Sequence, residues 1–238
     1  MKRLVSTITA IALVAGAIYA CQPRESAEAS TGAVSASDAP SAASNTTLPQ
    51  VSPNSKAAVR YVTAATGNAA RYRIREQLVG VDLPNDAIGE TKTVSGVIAA
   101  DAKGNVIPAE SKFIIDVTGL TSDKQRRDGF VRGRVLETEQ YPTVTLVPTS
   151  LRGLSVPLPK SGSKTFDIIG DLTVRGKTRP TTWKVTAQFQ PTGVTGSAKT
   201  AFTFNDFEIQ QPRVPVVLSV ADTIKLELDF SMVPEGKK

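Results

Sequence analysis

Residues 165–189 contain two segments in which apolar and polar residues alternate, and a glycine turn joins them. Alternation with a period of two is typical of a β-strand that has one buried and one solvated face. The sequence therefore predicts a β-hairpin whose apolar face points into a core. The residues of that face are Phe166, Ile168, Gly170, Leu172 and Val174 in the first strand and Trp183, Val185, Ala187 and Phe189 in the second.

The turn predicts how the two strands pair. A two-residue loop at Gly176-Lys177, with glycine first as a type II′ turn favours, brings both apolar sets onto one face. A three-residue loop would place the two sets on opposite faces. The expected pairs are Ile168 with Val185, Phe166 with Ala187, and Gly170 with Trp183, where the missing side chain leaves room that the indole could cover.

Further alternating segments predict strands at residues 59–62, 70–79, 91–101, 110–117, 143–151, 196–205 and 223–232. Residues 82–90 hold Pro84 and Gly89 and are predicted to form a loop, and residues 103–105 a turn. About eight antiparallel strands with one apolar face predict a closed barrel or a sandwich. The interior of an eight-stranded barrel is filled by side chains or holds one slim ligand, and alternation leaves both open.

One segment departs from alternation. Ser122, followed three residues later by Gln125, has the form of a capping box that starts a helix. Gly129 and Gly133 predict that this helix is short or irregular as it continues towards Val135.

The composition excludes several kinds of catalytic site. The chain has no histidine and one cysteine, so a Cys/His zinc site, a Ser-His-Asp triad and a Cys-His nucleophile cannot form. Asp167 and Asp171 share the polar face of the predicted hairpin, which points outward, so we expect no carboxylate catalysis there. The net charge of +6 comes from a mixed distribution of charges, and we expect no nucleic-acid partner.

The amino terminus predicts export. Lys2 and Arg3 precede a short apolar run at residues 8–18, and the segment ending Ile18-Tyr19-Ala20-Cys21 resembles a bacterial lipobox. We expect residues 1–20 to be a lipoprotein signal peptide and Cys21 to be acylated, with ordinary signal cleavage as the alternative. Residues 21–58, rich in Ser, Ala, Thr and Pro, are expected to form a flexible tether. Gln22 favours anchoring in the outer membrane, facing the periplasm.

Residues 59–234 resemble the YceI-like lipid/polyisoprenoid-binding family, a family of lipocalin-like barrels. The matching stretches, in order, are Gly89-Glu90-Thr91, Val94-Ser95-Gly96, Arg127-Asp128, Tyr141-Pro142-Thr143, Gly170-Asp171-Leu172-Thr173-Val174-Arg175-Gly176-Lys177-Thr178 and Phe204-Asn205-Asp206-Phe207-Glu208-Ile209. The resemblance implies an all-β fold, an eight-stranded antiparallel barrel with one short helix. It also implies that the protein is not an enzyme and uses no cofactor or metal. Many members have histidine in the early strands, and this chain has none. Any head-group contact that histidine makes in those members must here be made by other residues or be absent.

The resemblance implies that the barrel binds a long-chain amphiphile, such as an isoprenoid, an isoprenoid quinone or a fatty acid. Arg126 and Arg127 are candidates for contact with its head group. The alternative is an envelope protein with a self-filled barrel that binds a protein partner through its loops, and a homodimer is left open. The expected barrel lining is Phe113, Ile115, Phe166, Ile168, Leu172, Trp183, Val185, Phe202, Phe204, Leu226 and Leu228.

Overall fold

A computed structural model describes residues 48–49, 56–155 and 157–236. The predicted signal peptide, Cys21 and most of the predicted tether lie outside these residues and stay predictions. Within the described ranges, no helix has the length and apolar character needed to cross a membrane.

Antiparallel β-strands make up most of the described chain. Their bounds are β1 Val59–Thr63, β2 Ala69–Leu78, β3 Asn85–Thr91, β4 Val94–Ala100, β5 Lys112–Asp116, β6 Thr121–Ser122, β7 Thr143–Arg152, β8 Gly162–Val174, β9 Lys177–Gln190, β10 Gly193–Thr203 and β11 Val217–Pro234. One α-helix, α1, spans Gln125–Phe130 and continues as a π-helical turn at Val131–Val135. Short 3₁₀ turns occupy Pro108–Glu110 and Phe204–Phe207.

The strands close into an eight-stranded barrel in the order β1-β4-β5-β7-β8-β9-β10-β11, with β11 pairing back to β1. β11 is long enough to pair also with β2, and β3 and β6 extend that side. Apolar residues of alternate positions face the interior, as the alternation predicted. The predicted fold class is confirmed.

The hairpin of β8 and β9 forms where predicted, but its loop is Arg175-Gly176 rather than Gly176-Lys177. Both loop residues have positive φ, +48° and +70°, as a type I′ turn requires. Arg175 tolerates this conformation while its guanidinium pairs with Glu137. The register moves by two residues, so the same side chains still face inward. The observed pairs are Ile168 with Trp183, Phe166 with Val185, and Gly170 with Thr181.

The predicted capping box is wrong, although the brief helix is present. Lys124 is the N-cap of α1 and makes no capping side-chain bond. Ser122 belongs to β6, and both its N–H and its hydroxyl donate to Asp128 Oδ1, at 2.8 and 2.5 Å. The hydroxyl also accepts from the Lys124 backbone N–H at 3.2 Å, but it bonds to no backbone N–H within α1.

The predicted loop at 82–90 is wrong for most of its length, because β3 begins at Asn85. Gly89 lies against the Tyr72 ring on β2, where a Cβ would come within 2.2 Å of Tyr72 Cε1. The glycine therefore permits close packing between two strands, and does not mark a turn.

Candidate functional site

An apolar cavity of about 840 Å³ occupies one half of the barrel. Side chains from β2, β3, β5 and β7–β11 form its wall, and α1 with the π-helical turn covers one side. Val79 and Val216 line the cavity and are themselves 55% and 61% exposed, so the cavity opens to solvent between them. The other half of the barrel retains a space of only about 80 Å³. We call the two parts the cavity half and the filled half.

The predicted lining residues divide between the two halves. Those that line the large cavity are Ile115, Leu172, Trp183, Phe202, Phe204, Leu226 and Leu228. Phe113, Phe166 and Ile168 line the small space, together with Trp183 and Leu228. Val185 lines neither and is fully buried. Alternation thus identified inward-facing residues without distinguishing the two halves.

Trp183 lies between the large cavity and the small space. Its Nε1 donates to Thr181 Oγ1 at 2.9 Å, and that hydroxyl donates to the Gly170 carbonyl at 3.1 Å. The prediction that the indole covers space above Gly170 is wrong. A Cβ on Gly170 would lie 2.7 Å from the Val147 carbonyl oxygen, because β7 passes close to this position. Hydrogen bonds fix the indole as the floor of the cavity.

Glu76 places a carboxylate on the apolar wall. It shares the inward face of β2 with Tyr72 and is 7% exposed. Its carboxylate pairs with Arg127 Nη2, while Arg127 Nη1 donates to Asp123 at 2.5 Å. A charge in an apolar wall is tolerated when it is paired in this way, because an unpaired one would be strongly disfavoured.

Tyr72 supplies a hydroxyl to the same wall. Burial raises the pKa of Tyr72 to about 12, and the nearby Arg127 cation partly opposes that rise. The hydroxyl makes no hydrogen bond within the described part of the chain, and the side chain lines the cavity. A neutral, unpartnered donor therefore stands at the surface of an otherwise apolar space.

Both predicted head-group residues line the cavity, but only one of them forms ion pairs. The Arg127 guanidinium is occupied by Glu76 and Asp123. Arg126 is exposed and forms no ion pair or hydrogen bond with any described residue. Arg126 is thus the cation that can reach a ligand without breaking a bond.

The carboxylates of the hairpin lie outside the barrel, as predicted from their parity. Asp167 accepts from Arg152 Nη2 at 2.7 Å, and this hydrogen bond lowers the pKa of Asp167. Asp171 is exposed on the same outer face. Neither carboxylate borders the cavity.

Sequence reasoning did not identify Tyr72 and Glu76 as parts of the wall. The information was present, because Ala70, Tyr72, Ile74, Glu76 and Leu78 share one parity in β2. A glutamate at an apolar position of an alternating strand indicates a buried partner.

Comparison with other proteins agrees with this architecture. Residues 61–232 match the model of the YceI-like domain. A UPF0312 protein of Pseudomonas putida is 31% identical over 140 residues, which span 55% of this chain and 65% of that protein. A UPF0312 protein of Vibrio parahaemolyticus is 29% identical over 106 residues, or 44% of this chain and 51% of that protein. The chain therefore matches less than two thirds of the length of these relatives.

Two solved structures share the fold. A polyisoprenoid-binding domain from Saccharophagus degradans, implicated in plant cell wall breakdown, superposes with a TM-score of 0.54 at 12% identity, covering 74% of this chain and 98% of that domain. Burkholderia cenocepacia BcnA superposes with a TM-score of 0.51 at 18% identity, covering 69% of this chain and 95% of that protein. At these identities the likeness shows a common barrel.

Proposed function

The chain belongs to the YceI-like domain family, and we propose that its barrel binds a long-chain amphiphile without acting as an enzyme. The observation that supports this most is the open apolar cavity of about 840 Å³. Pockets that hold whole small molecules have volumes of about 300–1,000 Å³. The polyisoprenoid-binding domain of Saccharophagus degradans has the same fold, which favours an isoprenoid, an isoprenoid quinone or a fatty acid as the ligand class.

The tail of the ligand would occupy the space above Trp183. Leu172, Leu226 and Leu228 border that space with apolar side chains. Removing apolar surface from water contributes about 25 cal/mol per Å², and the cost of ordering a flexible chain offsets part of this gain. A long tail therefore binds because its surface leaves water, without any need for directional contacts.

The head group would lie where Tyr72, Arg126 and Arg127 meet the cavity. The free Tyr72 hydroxyl can donate to a carbonyl or hydroxyl oxygen, as an isoprenoid quinone or alcohol would present. Arg126 offers a guanidinium to a carboxylate or phosphate. Arg127 stays paired with Glu76 and orients this part of the wall. These three residues replace any histidine contact, since the chain has no histidine.

The proposal places the protein at the bacterial cell envelope. In it, the signal peptide of residues 1–20 directs export, and acylated Cys21 anchors the barrel through the tether, facing the periplasm from the outer membrane. Mass spectrometry of the mature amino terminus tests this part. An unmodified Cys21, or cleavage at another bond, would remove the anchor from the proposal.

Extraction of the protein tests ligand binding. Full-length protein is purified from its native membrane, extracted with organic solvent and analysed by mass spectrometry, with Ala70→Phe and Ala201→Phe as matched variants. Ala70 lines the cavity, whereas Ala201 is exposed on β10. We expect a long-chain amphiphile with wild type and Ala201→Phe, and a severalfold smaller amount with Ala70→Phe.

A barrel that binds only a protein partner through its loops is the competing function. It requires no lipid in the interior, so equal lipid in all three samples, or none, would favour it over the carrier. The volume of the cavity half argues for the carrier.

A further inference from the structure

Large apolar side chains are exposed on two short segments at the cavity mouth. Among the described residues, those that are both large and exposed are Val79, Val81, Leu83, Val216 and Leu218. We call these five residues the apolar rim. Exposed apolar side chains that gather in one place mark a contact with a partner or a membrane.

Backbone pairing holds the two segments of the apolar rim together. The Val79 N–H donates to the Val216 carbonyl at 3.1 Å, and Leu78 pairs with Val217. Val79, Val81 and Val216 line the cavity as well as facing solvent. One continuous apolar surface therefore runs from the outside of the protein into the cavity.

Two unpaired cations flank the apolar rim. Arg126 lines the cavity, and Arg213 lies between Pro212 and Val214, which also line it. Both arginines are exposed, and neither forms an ion pair with a residue that the structure describes. Apolar side chains beside cations match a surface of acyl chains beneath anionic phosphates. Asp82 is an acidic side chain within the rim segments and moderates this charge.

We propose that the apolar rim docks onto the surface of an anionic phospholipid bilayer, so that a ligand passes between membrane and cavity without crossing water. The second half of this statement rests on the proposed function; the docking itself does not. A long apolar tail that left the bilayer through water would lose the free energy of its burial on the way. Contact between the rim and the bilayer removes that barrier.

Vesicle contact tests the docking without any ligand. The full chain with Cys21→Ser, which removes its single cysteine, receives one environment-sensitive fluorophore through Leu83→Cys or Ser155→Cys. Ser155 is exposed in the segment whose Leu154 and Leu158 line the filled half, so it is the matched control. On vesicles of phosphatidylethanolamine and phosphatidylglycerol, we expect a blue shift and quenching by lipid-attached quenchers at position 83 but not at position 155.

Non-specific adsorption of the protein to the vesicles would affect both labelled positions alike, so equal responses would overturn the docking proposal. No response at either position would overturn it as well. A response at position 83 that persists on uncharged vesicles would assign the contact to the apolar side chains and remove the role of the two arginines.

Transfer of retinol, a fluorescent isoprenoid alcohol, separates docking from cavity binding. Trp183 is the single tryptophan of the chain and lines the cavity, so energy transfer from it reports occupancy. Leu83→Ser combined with Leu218→Ser should slow uptake of retinol from vesicles by about tenfold, because two apolar contacts with the bilayer are lost. Equilibrium binding of retinol added from solution should stay unchanged. Unchanged uptake would overturn the docking proposal, whereas wild type that binds no retinol would count against the proposed function instead.

Discussion

The two halves of the barrel share strands and differ in content. β8, β9, β10 and β11 provide walls to both, yet the filled half keeps about 80 Å³ of space and the cavity half about 840 Å³. In the filled half the interior is packed by Phe113, Phe166, Phe189, Phe230 and Met232. In the cavity half the same strands present mainly leucine, isoleucine and valine, together with Trp183 and Phe202, around a wider space. One strand pattern thus builds a stable core and a binding space side by side.

The halves are also closed by different means. Continuous backbone pairing through β1, β4, β5 and β7 completes the filled half. Beside the cavity, the two-residue β6 pairs with β3 and, among the described residues, with no other strand. This leaves an opening between β6 and β7, which α1 and the π-helical turn cover. Side-chain contacts hold this cover, namely Glu76 with Arg127, Ser122 with Asp128, and Arg132 with the Leu120 carbonyl at 2.7 Å. Closure of the cavity half therefore depends on side-chain contacts, whereas closure of the filled half depends on backbone hydrogen bonds.

The largest expected effect comes from breaking the ion pair that joins the cover to the wall. Arg127→Ala leaves the buried Glu76 side chain without its ion-pair partner, which should lower the free energy of unfolding by about 3–5 kcal/mol. Urea unfolding of the variant and of wild type measures this loss of stability. Arg152→Ala, which removes the exposed partner of Asp167, is the control and should cost no more than about 1 kcal/mol.

Replacing both members of the buried pair sharpens this test. Glu76→Met with Arg127→Met should recover most of the lost stability, because two apolar side chains need no compensating charge. If Arg127→Ala costs as little as Arg152→Ala, the ion pair does not hold the cover in place.

Substitution of one isoleucine in each half compares the packing of the two halves. Ile168 is buried in the filled half, whereas Ile74 is half-buried on the cavity wall. Ile168→Ala should cost about 3–5 kcal/mol, since it adds a void to a packed core. Ile74→Ala should cost only about 1–2 kcal/mol, because the space beside it already exists. Equal losses in urea unfolding would mean that the cavity half is packed as tightly in solution as the filled half.

Tyr72 gives the smallest effect and a dependence on pH. Its pKa is raised from 10.0 to about 12 by burial, so the folded protein retains a proton that the unfolded chain releases between those values. The contribution of this pKa difference to the free energy of unfolding is fully present below pH 10. It decreases as the pH rises towards 12, by about 1 kcal/mol at pH 11. Phenolate absorbance, taken as wild type minus Tyr72→Phe, should titrate near pH 12. A midpoint near pH 10 would mean that the hydroxyl is solvated.

The family resemblance, and not the alternation, favoured a barrel over a sandwich. Alternation was sufficient to predict strands with one buried face, because Ile224, Leu226 and Leu228 alternate with charged residues. It was not sufficient to predict the cavity, because inward-facing side chains obey the same pattern whether they touch each other or border a space. Seven of the eleven predicted lining residues border the cavity, and only the three-dimensional spacing of the strands separates them from the rest.

The errors have local causes. The turn was misplaced because Arg175 adopts a positive φ that sequence rules reserve for glycine and asparagine. β3 was missed because Gly89 permits contact with the Tyr72 ring instead of marking a loop. In each case the residue contacts a neighbour distant in sequence, Glu137 or Tyr72, which local sequence rules do not take into account.

β11 has a kinetic consequence. It pairs with β10 along one edge, and with β1 and β2 along the other, and the Ser231 N–H donates to Asn68 Oδ1, 163 residues earlier in the chain. Contacts of such separation form slowly, since a long loop must close before they stabilise anything. During folding, the interior should stay accessible until this last strand docks on the first. Closure of the cavity wall should therefore be a late and slow step of folding, and ligand uptake should begin only after it.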